Sequence, residues 1–93
     1  MSPLITIKER EIAQRYLCLD IALQVDSTTD MLMEFQSVTE QMRKLKLLIE
    51  HESTTDYVYS FIIKSGDRQK KETYTKHHLI YLIKRTLKEF KGE

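Results

Sequence analysis

The sequence predicts a small α+β domain with the element order α-α-β-β-α, in which an antiparallel helical hairpin precedes a β-hairpin and a C-terminal helix. Three stretches space their apolar residues by three and four positions, which is the period of an amphipathic helix. One stretch alternates apolar and polar residues, which is typical of a strand. The chain has 93 residues, of which 41% are hydrophobic and 31% charged. That length and balance indicate a single folded domain over residues 1–93.

The first helix is predicted over residues 6–25. Thr6 and Glu9 have the spacing of a capping box, in which each side chain binds the other residue's backbone N–H. Ser2 followed by Pro3 offers an alternative start, because proline suits the first helical position. The apolar stripe consists of Ile12, Tyr16, Leu19 and Leu23.

A second helix is predicted over residues 29–51. It begins after a polar break at 26–30 and ends before another at 52–56, both rich in residues that cap helices. The short link between the two helices favours antiparallel packing. Its apolar stripe is the most regular in the chain and consists of Met31, Phe35, Val38, Met42, Leu45 and Ile49.

Strands are predicted over residues 57–64 and 68–74. The first alternates aromatic and β-branched residues, whereas the second is much more polar. Gly66 lies between them and can adopt the positive φ that a tight hairpin turn requires. A helix over residues 76–91 follows, with Thr75 as its N-cap. A two-stranded hairpin alone is marginally stable, so it must lie across the helices or pair with the hairpin of a partner chain.

The net charge of +1 conceals a difference between the two halves of the chain. Residues 1–56 contain six Lys or Arg and ten Asp or Glu, a net charge of −4, and residues 57–93 contain nine and four, a net charge of +5. A basic segment of this kind can bind a polyanion. The same asymmetry is equally consistent with two halves of one domain that attract each other.

Nucleic acid is the first predicted partner, because a basic hairpin leads into a basic helix between residues 64 and 91. This hairpin-then-helix order is loosely similar to the ββα arm-binding domains of phage integrases and to the wing of winged-helix proteins, although the two N-terminal helices match neither pattern. The predicted contact residues are Lys64, Arg68, Lys70, Lys71, Lys76, Lys84, Arg85 and Lys88.

A protein-protein interface on the second helix is the competing prediction. The apolar stripe there is wider than one antiparallel neighbour needs, and methionines add adaptable surface. A homodimer would cover this surface, unless the hairpin and last helix do so within one chain. Under this hypothesis the chain is an adaptor or inhibitor, and the predicted interface consists of Met31, Leu32, Phe35, Met42, Leu45, Leu48 and Ile49.

The sequence gives no catalytic, cofactor or metal signature. His77 and His78 are adjacent, so on a helix they point about 100° apart and cannot share a metal as an i, i+4 pair would. Cys18 lies within an apolar helix, a poor setting for a reactive thiolate. We therefore expect a non-enzymatic regulatory protein with no cofactor.

Cytoplasmic localisation is expected from cysteine usage and hydropathy. A single cysteine cannot form an internal disulfide, which favours a reducing compartment. No apolar run is long enough to span a bilayer, and the N-terminal residues lack the pattern of a signal peptide. We expect no membrane partner.

Overall fold

Six elements in the order α-α-β-β-β-α form one small α+β domain. The computed structural model describes residues 4–91. Its elements are α1 (Ile7–Val25), α2 (Thr29–Lys44), β1 (Leu47–Thr54), β2 (Val58–Ser65), β3 (Arg68–Thr75) and α3 (Lys76–Glu89). The predicted α+β class, helical hairpin, β-hairpin and C-terminal helix are confirmed, and the structure adds a strand that the sequence analysis did not predict.

Each helix begins at a threonine that accepts a backbone hydrogen bond. The predicted capping box of α1 is confirmed, because the Thr6 hydroxyl accepts from the Glu9 N–H at 3.0 Å and the Glu9 carboxylate accepts from the Thr6 N–H at 2.9 Å. Thr28 caps α2 and Thr75 caps α3 in the same way. The alternative start at Ser2 and Pro3 lies outside the described residues.

The prediction that the second helix continues to residue 51 is wrong, because α2 ends at Lys44. Leu45 is the C-cap, and Lys46 follows with a φ of 55°. The Lys46 N–H donates to the Arg43 carbonyl at 3.1 Å. Lys46 therefore adopts the left-handed backbone conformation that ends the helix, and glycine is the residue most often found in that conformation.

The segment after this turn is the additional strand, β1. It pairs antiparallel with β2 in a register that places Ile49 opposite Ile63, and a bulge interrupts the ladder between His51 and Ser53. The local pattern at Ile49 fits both elements, because Ile49 continues the helical spacing of α2 and also lies two residues after Leu47, on the same face of a strand. Pairing with β2 decides between the two, since three strands are stable where two are marginal.

The sheet has the order β1-β2-β3 and is antiparallel throughout. Ser65 pairs with Arg68 across a two-residue turn, of which only Gly66 has a positive φ, 63°. This is the pattern of a type II′ turn. The predicted role of Gly66 is therefore confirmed.

α1 is the centre of the packing, since it contacts both other helices and lies against the sheet. One buried cluster joins α1 to α2, β1 and β2, and a second joins α1 to β2, β3 and α3. The central members of these clusters are Ala13, Leu19, Ala22, Met31, Val38, Ile63, Leu17, Phe61, Tyr74 and Leu79.

Candidate nucleic-acid interface

The lysines of the β2–β3 hairpin all lie close to glutamates. Each of the three pairs is at least partly exposed, and two of them connect the hairpin to β1. The pairs are Lys64–Glu50 at 3.0 Å, Lys70–Glu72 at 3.9 Å and Lys71–Glu52 at 3.2 Å. Much of the positive charge that the sequence assigns to this hairpin is therefore neutralised within the fold.

Arg68, the remaining hairpin cation, forms a bidentate ion pair with Glu9 of α1. Its two terminal nitrogens lie 2.8 and 2.7 Å from the two carboxylate oxygens. Arg68 also donates to the Ser65 hydroxyl at 3.0 Å and to the Leu4 carbonyl at 3.3 Å. The hydrogen bonds from Arg68 and from the Thr6 backbone lower the pKa of Glu9 from 4.5 to about 2. Arg68 thus fastens the hairpin to α1 and is not available to a ligand.

The cations of α3 differ from those of the hairpin. Among residues 4–91, no carboxylate lies within 4 Å of Lys76, Lys84, Arg85 or Lys88, and all four side chains belong to exposed residues. Lys84 and Lys88 are one helical turn apart, so they lie on the same side of α3. The eight predicted contact residues therefore form two groups, four paired on the hairpin and four unpaired on α3.

Two aromatic side chains lie on the same exposed side of α3 as Lys84 and Lys88. His77 and Tyr81 precede Lys84 at helical spacing, and the Tyr81 side chain is 59% exposed. A concavity in the described surface runs along this side and is lined by Tyr81, Lys84, Arg85, Leu87, Lys88 and Lys91. His77 and Tyr81 were not among the predicted contact residues, although their helical spacing from Lys84 and Lys88 is visible in the sequence.

Arg15 of α1 contacts both α3 and α2 at the surface of the domain. Its guanidinium binds the Glu89 carboxylate through two hydrogen bonds, at 2.9 and 3.3 Å, and lies 5.6 Å from the centre of the Phe90 ring. The same group lies 3.7 Å from Glu34 of α2. This arginine adds a surface contact to the packing of α3, whose buried residues Leu79 and Thr86 already face the rest of the domain.

The predicted interface residues are divided between the core and the surface. Met31 and Met42 are buried within the chain, and Phe35 stacks on Tyr16 with ring centres 5.2 Å apart. Ile49 is partly buried and packs against both hydrophobic clusters. Met31 and Met42 are therefore covered within the chain, and Phe35 and Ile49 are covered in part. α2 packs mainly on α1 and β1, and not on the hairpin and last helix as the alternative interpretation had it.

Leu32, Leu45 and Leu48 remain exposed, and the Leu48 side chain is 58% accessible. Leu45 and Leu48 flank the turn between α2 and β1. Leu48 therefore lies on a strand and not on the second helix as predicted. A groove beside it is lined by Tyr16, Thr39, Met42, Arg43, Leu47 and Leu48.

Cys18 is buried in the packing between α1 and α3, where burial raises the pKa of its thiol. Within the described part of the chain, no three His, Cys, Asp or Glu side chains come together in a group that could hold a metal ion. None of the three described helices combines the length and apolar character needed to cross a membrane.

Comparison with known protein families, with curated proteins and with solved structures found no match to this chain.

Proposed function

We propose that this chain is a small, non-enzymatic regulatory protein that binds nucleic acid through the exposed side of α3. The observation that carries the proposal is the contrast between two groups of cations. Those of α3, namely Lys76, Lys84, Arg85 and Lys88, have no acidic partner among the described residues, whereas every cation of the hairpin has one.

The physical reason for this assignment is counterion release. A lysine that is not neutralised within the protein can neutralise a phosphate and release the counterion condensed there, which drives binding. A lysine already paired with a glutamate must first break that pair, and its glutamate then repels the phosphate. The proposal therefore moves the contact surface from the hairpin and helix together to α3.

The test measures how salt affects the binding of a fluorescently labelled oligonucleotide, by anisotropy, for the wild type and for Lys84→Ala/Lys88→Ala. Each lost phosphate contact reduces the slope of log K against log salt by about 0.7–0.9. The double variant should therefore bind more weakly, with a slope smaller by roughly 1.5.

Lys70→Ala/Lys71→Ala is the matched control, because it removes the same charge from paired lysines of the hairpin. It should lower affinity much less than the α3 variant does. An equal loss in both variants would indicate a nonspecific effect of net charge, and wild-type protein that does not bind at low salt would refute the proposal.

Protein binding through the junction of α2 and β1 is a second candidate function, favoured by the exposed Leu45 and Leu48 beside an apolar groove. Exposed leucines next to a groove are typical of contact surfaces. A homodimer formed there would leave α3 accessible to nucleic acid, so the two candidates are compatible.

Light scattering tests the homodimer. We expect the wild type to have twice the chain mass at high concentration and Leu48→Glu to have the monomer mass, because a charge in the contact would be desolvated. A monomer mass for the wild type would refute this candidate. Ser37→Glu, at an exposed position of α2 outside the groove lining, is the control for added charge.

A further inference from the structure

The exposed side of α3 carries aromatic and cationic side chains in one row. His77, Tyr81, Lys84 and Lys88 occupy positions i, i+4, i+7 and i+11 of the helix. At about 100° per residue these four directions fall within roughly 60° of one another. The row lies opposite Leu79 and Thr86, which are the buried residues of α3.

Another exposed aromatic residue lies next to the N-terminal end of α3. The Tyr57 carbonyl accepts a hydrogen bond of 2.8 Å from the Lys76 N–H, and the Tyr57 side chain is 74% exposed. From His77 to Lys88 the helix rises about 16 Å. The row therefore offers ring surfaces and cations along a track that can accommodate several nucleotides.

We propose that the ligand of this row is a single-stranded polynucleotide, whose bases stack on Tyr81 and Tyr57 while Lys84 and Lys88 neutralise its phosphates. The inference rests on the proposed function and specifies the substrate class. Cations alone would suit any polyanion, but exposed rings beside them suit a strand whose bases are free to stack.

Duplex nucleic acid and acidic proteins fit the row less well. In a duplex the bases already stack on one another, so an exposed tyrosine ring finds no free base surface. An acidic peptide would be attracted by the lysines, yet it offers no planar rings at a regular spacing. The aromatic side chains therefore discriminate between these ligands, and the experiment is designed around them.

The first measurement compares three labelled probes of equal length, about 12 nucleotides: a single strand with bases, the same strand made abasic, and the duplex. Both DNA and RNA versions are used. The strand with bases should bind at least about 5-fold more tightly than the abasic strand, since stacking on one aromatic side chain contributes about 1–3 kcal/mol. It should also bind more tightly than the duplex.

The second measurement uses substitutions of Tyr81, whose exposure allows changes without loss of the fold. Tyr81→Ala should weaken binding of the strand with bases by about 5-fold or more and leave binding of the abasic strand unchanged. Tyr81→Phe is the matched control, because it keeps the ring, and should bind within about 2-fold of the wild type.

A third variant gives a direct signature of stacking. The chain has no tryptophan, so Tyr81→Trp introduces a single indole probe. Its fluorescence should be quenched by the strand with bases and not by the abasic strand.

The outcomes separate this inference from the proposed function. If the duplex and the abasic strand bind as tightly as the strand with bases, the single-strand inference is wrong while binding of nucleic acid through α3 stands. If no probe binds at low salt, both are wrong.

Discussion

Glu9 of α1 and Arg68 of β3 are separated by 59 positions in the sequence and form a bidentate ion pair with oxygen–nitrogen distances of 2.8 and 2.7 Å. Glu9 is also the N3 residue of the capping box of α1. One carboxylate therefore stabilises the start of the first helix and fastens the hairpin to it. The Glu9 side chain is only 10% exposed, so removing Arg68 leaves a poorly hydrated negative charge on Glu9.

Removal of Arg68 should destabilise the fold. Arg68→Met keeps much of the apolar stem but leaves Glu9 without its partner, and we expect the free energy of unfolding to fall by roughly 1–3 kcal/mol. Urea denaturation at pH 7 measures the change. Lys71→Met, on the same strand but in the exposed pair with Glu52, should change stability by less than about 0.5 kcal/mol. Similar losses in both variants would show that the Glu9 pair has no special role.

Stability should decline in acid because of Glu9. Its pKa is about 2 in the folded chain, below the ordinary value of 4.5, so the unfolded chain takes up this proton first as the pH falls. The contribution, roughly 1–2 kcal/mol after allowance for solvent screening, is present above pH 4.5 and is lost progressively as the pH falls from about 5 towards 2. Glu9→Gln should be less stable at pH 7 and should show a shallower decline, measured by thermal unfolding across this range. An unchanged pH profile would contradict the assignment.

Lys46→Gly should stabilise the protein. Lys46 has a φ of 55°, a conformation that disfavours side chains with a Cβ but not glycine. The expected gain in the free energy of unfolding is about 0.5–1 kcal/mol, reduced by the greater freedom of glycine in the unfolded chain. Gln36→Gly is the control, since Gln36 is exposed in the middle of α2 and its replacement should destabilise by about 0.5 kcal/mol. A loss of stability in Lys46→Gly would mean that the Lys46 side chain stabilises the fold by more than the backbone strain at this position destabilises it.

Gly66→Ala should destabilise the hairpin by about 1 kcal/mol, because φ is 63° there while no neighbouring atom lies within 4 Å of the added Cβ. The effect would therefore come from backbone strain and not from a steric clash. Gly66→Asn should cost less, since asparagine tolerates this conformation. Chemical denaturation of both variants provides the test, and equal losses would argue against backbone strain as the cause.

The sequence predicted most of the fold because its local signals agree with its tertiary contacts. The capping box at Thr6 and the turn at Gly66 are local, and the structure confirms both. β1 could not be predicted in this way. Ile49 fits a helix and a strand equally well, and only pairing with β2, a contact between distant parts of the chain, selects the strand.

The candidate site was predictable by residue type but not by location. The sequence identifies a basic second half, yet it cannot show that Lys71 lies 3.2 Å from Glu52 or that Arg68 lies against Glu9. Those acids come from the first half of the chain and neutralise the hairpin. Attraction between the acidic and basic halves of the chain therefore accounts for the cations of the hairpin. The hypothesis of a polyanion-binding surface now applies to the cations of α3 alone.

An NMR titration of the ¹⁵N-labelled chain with a single-stranded oligonucleotide distinguishes α3 from the hairpin as the surface that contacts nucleic acid. We expect amide signals from His77 to Lys88 to shift progressively and those of Lys70 and Lys71 to remain in place. Shifts concentrated in the hairpin, with α3 unaffected, would contradict the proposal that α3 is the surface that binds nucleic acid.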